Sequence, residues 1–498
     1  NYDAGGGHFL KFGAEINDLE VFTLFAINAT GSLFFQNFAD FREGLLAVGD
    51  GSPSVFSDSD DLVNGDNGGA TIAVAQGADI NNAAARFSRQ IYSVFAQDEW
   101  DATDQLTINA GVRVQLYDGD APQANPNFLD RYGFTNRVSF AQIEPVILPR
   151  VSANYNFDDE GFFSNSSILA GVGIFSGGDP VVYYSNAFSN NGFSSANGDT
   201  NDCDVSELPI DPATGQIDVV TGGTFTGIPA CAIAAGQASA EAGLADVQST
   251  DPDLDVPTVV RANLSFSSTI GAETGFFSNW NMNLDYIYSR FIDPLNFVDL
   301  SQAPDVRTGV NGFTTDGRPI LAAVDATQTG CNAVLQNNGG TPPVYTGLTA
   351  DCFGTRRDDN IQLTNGRSSS SHVFSVAFNK RFSSGIFTSG GATQVNLGYA
   401  YTDSQNARNN QSSTATSSFD VTAAFDRQDP AVSRATTETR HNITAAVNFR
   451  EEFFDGYDTS LGIFFRARSG RPFSLTFDGV GVFAASASGT ENDMLYLP

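Results

Sequence analysis

Hydrophobic and polar residues alternate along much of this 498-residue chain. Between Leu106 and Tyr117 the pattern is almost unbroken. Leu106, Ile108, Ala110, Val112, Val114 and Leu116 fall on one side of an extended backbone, and Thr107, Asn109, Gly111, Arg113, Gln115 and Tyr117 fall on the other. A period of two predicts a strand with one apolar and one polar face. The alternation recurs at Leu10–Ile16, around Tyr92, and at Val151–Phe157, Ile168–Ile174, Val260–Phe266 and Trp280–Tyr288. It continues at Phe374–Phe378, Val395–Tyr401, Ile443–Phe449 and Leu461–Ala467. These segments predict about eleven strands of roughly ten residues, the length a tilted strand needs to cross a bilayer. Strands of soluble sandwiches more often run about five or six residues.

The connections are alternately short and long. Short joins are expected at "DATD" (101–104), Asp158–Gly161, Gly271–Ser278, Ser383–Gly391 and Glu452–Asp458. Long ones are expected at Asp18–Arg89, Asp118–Val146, Gly177–Val256, Asp293–Ser370 and Asp403–Glu438. Strict alternation gathers every long loop at one end of an antiparallel meander, as in a transmembrane up-and-down β-barrel with long extracellular loops. Lipid cannot satisfy backbone groups, so such a sheet must close. The fold class expected is therefore all-β, with the Leu106–Leu116 face toward lipid and the Thr107–Tyr117 face toward a wet or plugged lumen. Trp100, Phe157 and Tyr457, beside short turns, are candidates for an interfacial girdle. "CAIAAGQASAEAGLADV" predicts a short helix outside the membrane; the other loops read as irregular Asn/Gly/Ser-rich chain.

Composition narrows the choice further. The net charge of -32 argues against nucleic acid as a partner. No apolar run is long enough for a transmembrane helix. Residue 1 is Asn with no basic-then-apolar leader, which reads as a mature chain or an excised piece. Lys11 and Lys380 are the only lysines, and many arginines sit in or beside predicted strands. The acids concentrate in loops such as "SDSDDLVNGD", the pattern of solvated segments. Asp58, Asp60, Asp61 and Asp66 are weak calcium candidates without EF-hand spacing; structural divalent cations in these loops are the one cofactor considered.

Four cysteines lie outside the strands and form no CxxC pair. Three pairings are open. The local one, Cys203–Cys231 and Cys331–Cys352, is favoured because each pair lies within one inter-strand segment, and disulfides imply an oxidising compartment. His8, His372 and His441 are far apart and make no HExxH motif, so no enzyme is expected. "GVGIFSGG" alternates its glycines with apolar residues inside a strand, which points to close packing in a lumen rather than to a phosphate loop. Candidate lumen-facing residues are Asn109, Arg113, Gln115, Asn263, Asp285, Arg450, Arg466 and Arg468. Their arginines would pair with wall acids such as Asp285 or Glu15, or meet a plug domain or an anionic substrate.

"YSVFAQDEWDATDQLTINAGVRVQLYD" resembles the barrel strand pair of TonB-dependent outer-membrane receptors. "ILPRVSANYNF", "GVGIFSGGDPVVYYSNAFSNNG", "RARSGRPFSLTFDG" and "HFLKFGAEI" are similar to the Oar-like subgroup. The resemblance covers most of the chain outside the loops. It implies a 22-stranded barrel in a Gram-negative outer membrane, an N-terminal plug and energy from the TonB complex. No plug-like segment precedes Asn1, no TonB-box-like stretch is visible, and the sequence stops at "ENDMLYLP". Residues 1–498 are therefore expected to be the middle portion of such a barrel, with plug and terminal strands outside this sequence. The function expected is uptake of a large or scarce, peptide-like ligand, with lipid and lipopolysaccharide as neighbours. The alternative is a surface adhesin or assembly factor that uses the barrel to anchor acidic loops. A passive porin fits less well, because the loops are long and the implied lumen is wide enough to need a plug.

Overall fold

A computed structural model of the chain describes residues 1–47, 69–177, 181–272, 274–336, 338–354, 359–408, 412–476 and 494. Twelve strands follow one another in an unbroken antiparallel path. They are β1 (Tyr2–Gly5), β2 (His8–Leu24), β3 (Ala84–Asp101), β4 (Leu106–Gly119), β5 (Val146–Asn156) and β6 (Phe163–Ser176). Then come β7 (Thr258–Ile270), β8 (Trp280–Ile292), β9 (Ser369–Phe382), β10 (Ala392–Asn406), β11 (His441–Phe454) and β12 (Tyr457–Arg468). Among the described residues β12 does not return to β1, so the path is a curved wall with two edges. Short turns join the strands at one end, and the long connections all lie at the other.

The two faces differ as the alternation requires. Val94, Val112, Val151, Val172, Leu264, Leu397, Ile443 and Ile463 share one face and are all exposed. An apolar surface this continuous is far larger than the patches a soluble monomer tolerates, and it is what a barrel shows to lipid. All three histidines of the chain also lie on this face, near its margins. At the short-turn margin His8 stacks on Trp100, ring centroids 5.1 Å apart, and meets the Asp98 carboxylate at 2.8 Å. At the long-loop margin the Tyr286 and Tyr399 hydroxyls bond the Nδ1 atoms of His372 and His441, each at 2.9 Å. Tyr155 and Phe157 meet edge-to-face at 4.8 Å near a short turn, and Tyr457 is exposed in another. Aromatic groups with a polar tip suit the two membrane–water boundaries.

Two turns are clamped by charge. The Lys380 ammonium donates to the carbonyls of Gly275 and Phe276 and lies over the Phe382 ring. The Glu451 carboxylate accepts from the amides of Ile386, Phe387 and Thr388 and from the Thr388 hydroxyl.

Two sequence expectations are corrected. First, the strands run from 11 to 18 residues apart from β1, longer than expected. The alternation breaks down at the top of β2 and β3. Val21, Ala85 and Phe87 point inward and are packed, whereas Asp18 and Gln90 face outward and bond at 2.7 Å. Phe22 and Leu24 stay exposed on the outer face, so the wall here carries apolar residues on both sides, and the inner ones pack against the loops. Second, the long loops are not irregular chain. Segments pair both within and between loops, as Ser249–Thr250, Ile361–Asn365 and Leu295–Asp299, and as Ser32–Leu33, Ala70–Val74 and Ala196–Asp199. The helix expected in the Ala-rich segment spans Ala230–Ala242. It lies so close to Ala196–Asp199 that a Cβ at Gly236 would stand 2.9 Å from the Gly198 nitrogen. Cys203 is joined to Cys231 and Cys331 to Cys352, each bond within one loop.

Candidate functional site

The loops fold into a cap over the mouth of the polar face. Their main core gathers Phe140, Tyr184, Leu254, Phe297, Ile361, Leu363 and Phe419 around Ala85 and Phe87 of the wall. Phe87 stacks on Phe188 at 4.3 Å and on Phe140 at 5.7 Å. Burying several aromatic and aliphatic side chains, each worth roughly 1.5–3 kcal/mol, holds the cap to the wall as an ordered layer. Several polar groups inside it are partnered. Asn360 donates to the Tyr132 hydroxyl at 2.7 Å, and Arg408 donates to the Ser418 carbonyl and the Thr422 hydroxyl, each at 3.0 Å.

Burial raises the proton affinity of several cap acids. It pushes the Asp251 carboxyl above the usual range, partly offset by the Thr364 hydroxyl that it accepts at 2.6 Å. Asp293 and Asp426 are pushed up for the same reason. Asp305 moves the other way, held down by its hydrogen bonds with Arg307.

Below the cap, the polar face carries a trough of about 370 Å³ across β3 to β7. Backbone register builds it. Lys11, Gln97, Gly111, Arg150, Gly173, Arg261 and Ser289 stand in one transverse row on consecutive strands. The next row holds Asn109, Ser152, Gly171 and Asn263. The glycines keep the floor low, and the Phe175 ring lies against Gly173. A Cβ at Gly173 would stand 2.8 Å from the Cβ of Arg150, and one at Gly171 would stand 2.9 Å from the amide oxygen of Asn263. Arg150 donates to Gln97 at 3.0 Å across Gly111, and Arg261 donates to Ser289 at 3.2 Å on its other side.

The lumen-facing candidates all register on the polar face, but only Asn109 and Asn263 meet in the trough. Arg113 bonds Glu15 at 2.8 Å and Ser93 at 2.9 Å. Gln115 accepts from Ser176 at 2.6 Å, and Asp285 stands 3.5 Å from the Ser375 hydroxyl. Arg450 lies 3.5 Å from Asp458, Arg466 donates to Asn442 at 3.0 Å, and Arg468 pairs in register with Asn442 near the free edge. Arg150, Arg261 and Gln97 were not among the candidates. Only the cross-strand register aligns them, although the alternation around Arg150 and Arg261 already placed both on a polar face.

The calcium candidates Asp58, Asp60, Asp61 and Asp66 lie outside the described residues. Among the described residues no group of three His, Cys, Asp or Glu side chains is placed to hold a metal ion.

A sequence-family profile described as "Outer membrane beta barrel domain" matches residues 4–494. No curated protein matches the chain. Similar solved structures include the copper transporter OprC, at 11% identity and a TM-score of 0.28, covering 74% of this chain and 35% of that one. The siderophore receptor PirA from Pseudomonas aeruginosa is similar at 10% identity and a TM-score of 0.28, covering 82% and 50%. The outer membrane transporter YddB from Escherichia coli is similar at 8% identity and a TM-score of 0.29, covering 73% and 40%. The alignments thus span from about a third to half the length of these structures.

Proposed function

Since the chain belongs to the outer membrane beta barrel domain family and is thus an outer-membrane barrel protein, we propose that it is the wall of a TonB-dependent, Oar-like receptor. In this reading the wall and its cap admit a large or scarce, peptide-like ligand through a lumen of about 22 strands that a plug closes. The carrying observation is the cap. Loops from four separate connections build one buried core that sits on Phe87, at the mouth of a polar-lined wall. A passive pore gains nothing from an ordered layer over its entrance. A receptor does, because a preformed cap can hold ligand at lower entropic cost before admitting it. The sequence resemblance to TonB-dependent receptors supports the energy source.

The test is uptake-coupled proximity in cells. Cysteines placed along the polar face of the intact protein should crosslink to a plug, and the crosslinking pattern should change when TonB is deleted. An unchanged pattern, together with free passage of neutral sugars in a liposome-swelling assay, would refute the reading. The adhesin or assembly-factor alternative is favoured by the size of the cap, and it predicts surface binding that TonB deletion leaves intact. Divalent cations bridging loop carboxylates to lipopolysaccharide belong to either reading. A chelator should then increase proteolysis in the cap and leave the strands untouched.

A further inference from the structure

Two arginines of the polar wall are neutralised locally. Arg113 has Glu15, and Arg450 has Asp458. The row through the trough is different. Lys11, Arg150 and Arg261 occupy it without an acid in the same row, and among the described residues none of the three forms an ion pair. The nearest carboxylate by register is Glu99, one row toward the short turns beside Asn109. In a chain of net charge -32, a transverse band of unpaired cations is a local reversal of sign.

The arrangement is also shaped. Arg150 and Arg261 both face Gly173, one from each side. Their Cα atoms are therefore two strand spacings apart, about 9.5 Å. Gln97 draws one guanidinium away over Gly111, and Ser289 draws the other away toward β8. A gap is left between them, floored by Gly171 and by the Phe175 ring that lies against Gly173, and rimmed by Ser152 and Asn263. Each guanidinium keeps spare N–H donors in a planar fork that matches a carboxylate. The carboxamides and the hydroxyl around the gap suit the hydroxyl or ether oxygens of a small solute.

We propose that this trough binds a solute carrying two or more carboxylates, one on Arg150 and one on Arg261. The proposal rests on the polar face being the lumen, and it adds the charge and spacing of what the wall holds. Two bidentate contacts about one small-molecule length apart discriminate against single carboxylates and against neutral solutes.

Citrate is the probe. It is titrated calorimetrically into the intact protein in detergent at low ionic strength, with strand content followed by circular dichroism. The folded wild type should bind saturably. R150Q and R261Q should each weaken binding by about tenfold or more, as expected for losing a charged hydrogen-bonded contact. No saturable binding by the folded wild type, or unchanged affinity in both variants, would overturn the proposal. Should neither variant fold, salt decides. Citrate affinity must fall as ionic strength rises, and an affinity independent of salt would equally overturn it.

A second measurement separates the site from the lumen reading. Fluorophores are attached at Val112→Cys and Ser265→Cys and exposed to lipids with brominated acyl chains. Quenching at position 112 alone keeps the lumen reading whatever citrate does. Quenching at position 265 removes the lumen and the site together.

Discussion

An arginine on the outward face tests the membrane reading most directly, and the structure selects the position. Val112 is 41% exposed on the apolar face. It stands six residues along β4 from Leu106. At about 3.3 Å per residue and a tilt near 40°, that is roughly 15 Å above the start of the strand, close to the middle of an apolar band about 25 Å tall. Its direct cross-strand neighbours are Ala96 and Pro149, neither of which can pair with a charge. Ala110 is a poorer choice, because Asp98 lies directly opposite and would neutralise an arginine there. Val112→Arg should cost about 2–4 kcal/mol of folding stability in vesicles. Ser265→Arg on the other face should cost less than about 0.5 kcal/mol, as for a surface change, because Asp285 stands opposite in register. Urea titration of folding into phosphatidylcholine vesicles measures both. Equal losses at the two positions, or a harmless Val112→Arg, would mean that the Val112 face does not contact lipid.

Three further outcomes are expected. Replacing Cys203 and Cys231 by serine removes a link across 28 residues; it should destabilise the cap by up to roughly 3–4 kcal/mol while β3 to β8 keep their hydrogen-exchange protection, and loss of protection in those strands would count against a separate cap. Asp251 has a folded pKa above its unfolded one, so its favourable contribution is complete below the unfolded value and lost as pH rises through the folded value. Lowering the pH from neutral toward that folded value should therefore slow proteolysis near Asp251, Asp251→Asn should abolish the effect, and an unchanged pH profile in that variant would show that other groups cause it. Glu451→Ala leaves the amides of Ile386, Phe387 and Thr388 without their acceptor and should cost about 2–4 kcal/mol; a denaturation midpoint equal to wild type would show that the carboxylate does not hold that turn.

The sequence by itself determined the wall. Alternation within β2 to β12 and the strict order of short and long joins decide strand direction, neighbour and facing. Period two allows only two faces, and lipid accepts only one of them. The same logic legibly placed Asn109, Arg113, Asn263 and Asp285 on the polar side. Tertiary structure decided the rest. Pairing of Ser249–Thr250 with Gln362–Leu363 joins residues more than a hundred positions apart in strands of two to five residues, too short to show a period. At the top of β2 and β3 the cap gives the inner face an apolar partner of its own, so Phe87 is packed on the inner side while Asp18 points out. The trough has the same origin. Arg150, Gly173 and Arg261 lie on three strands, and no local signal relates them; they become neighbours only because the ladders through β5, β6 and β7 set one residue opposite another.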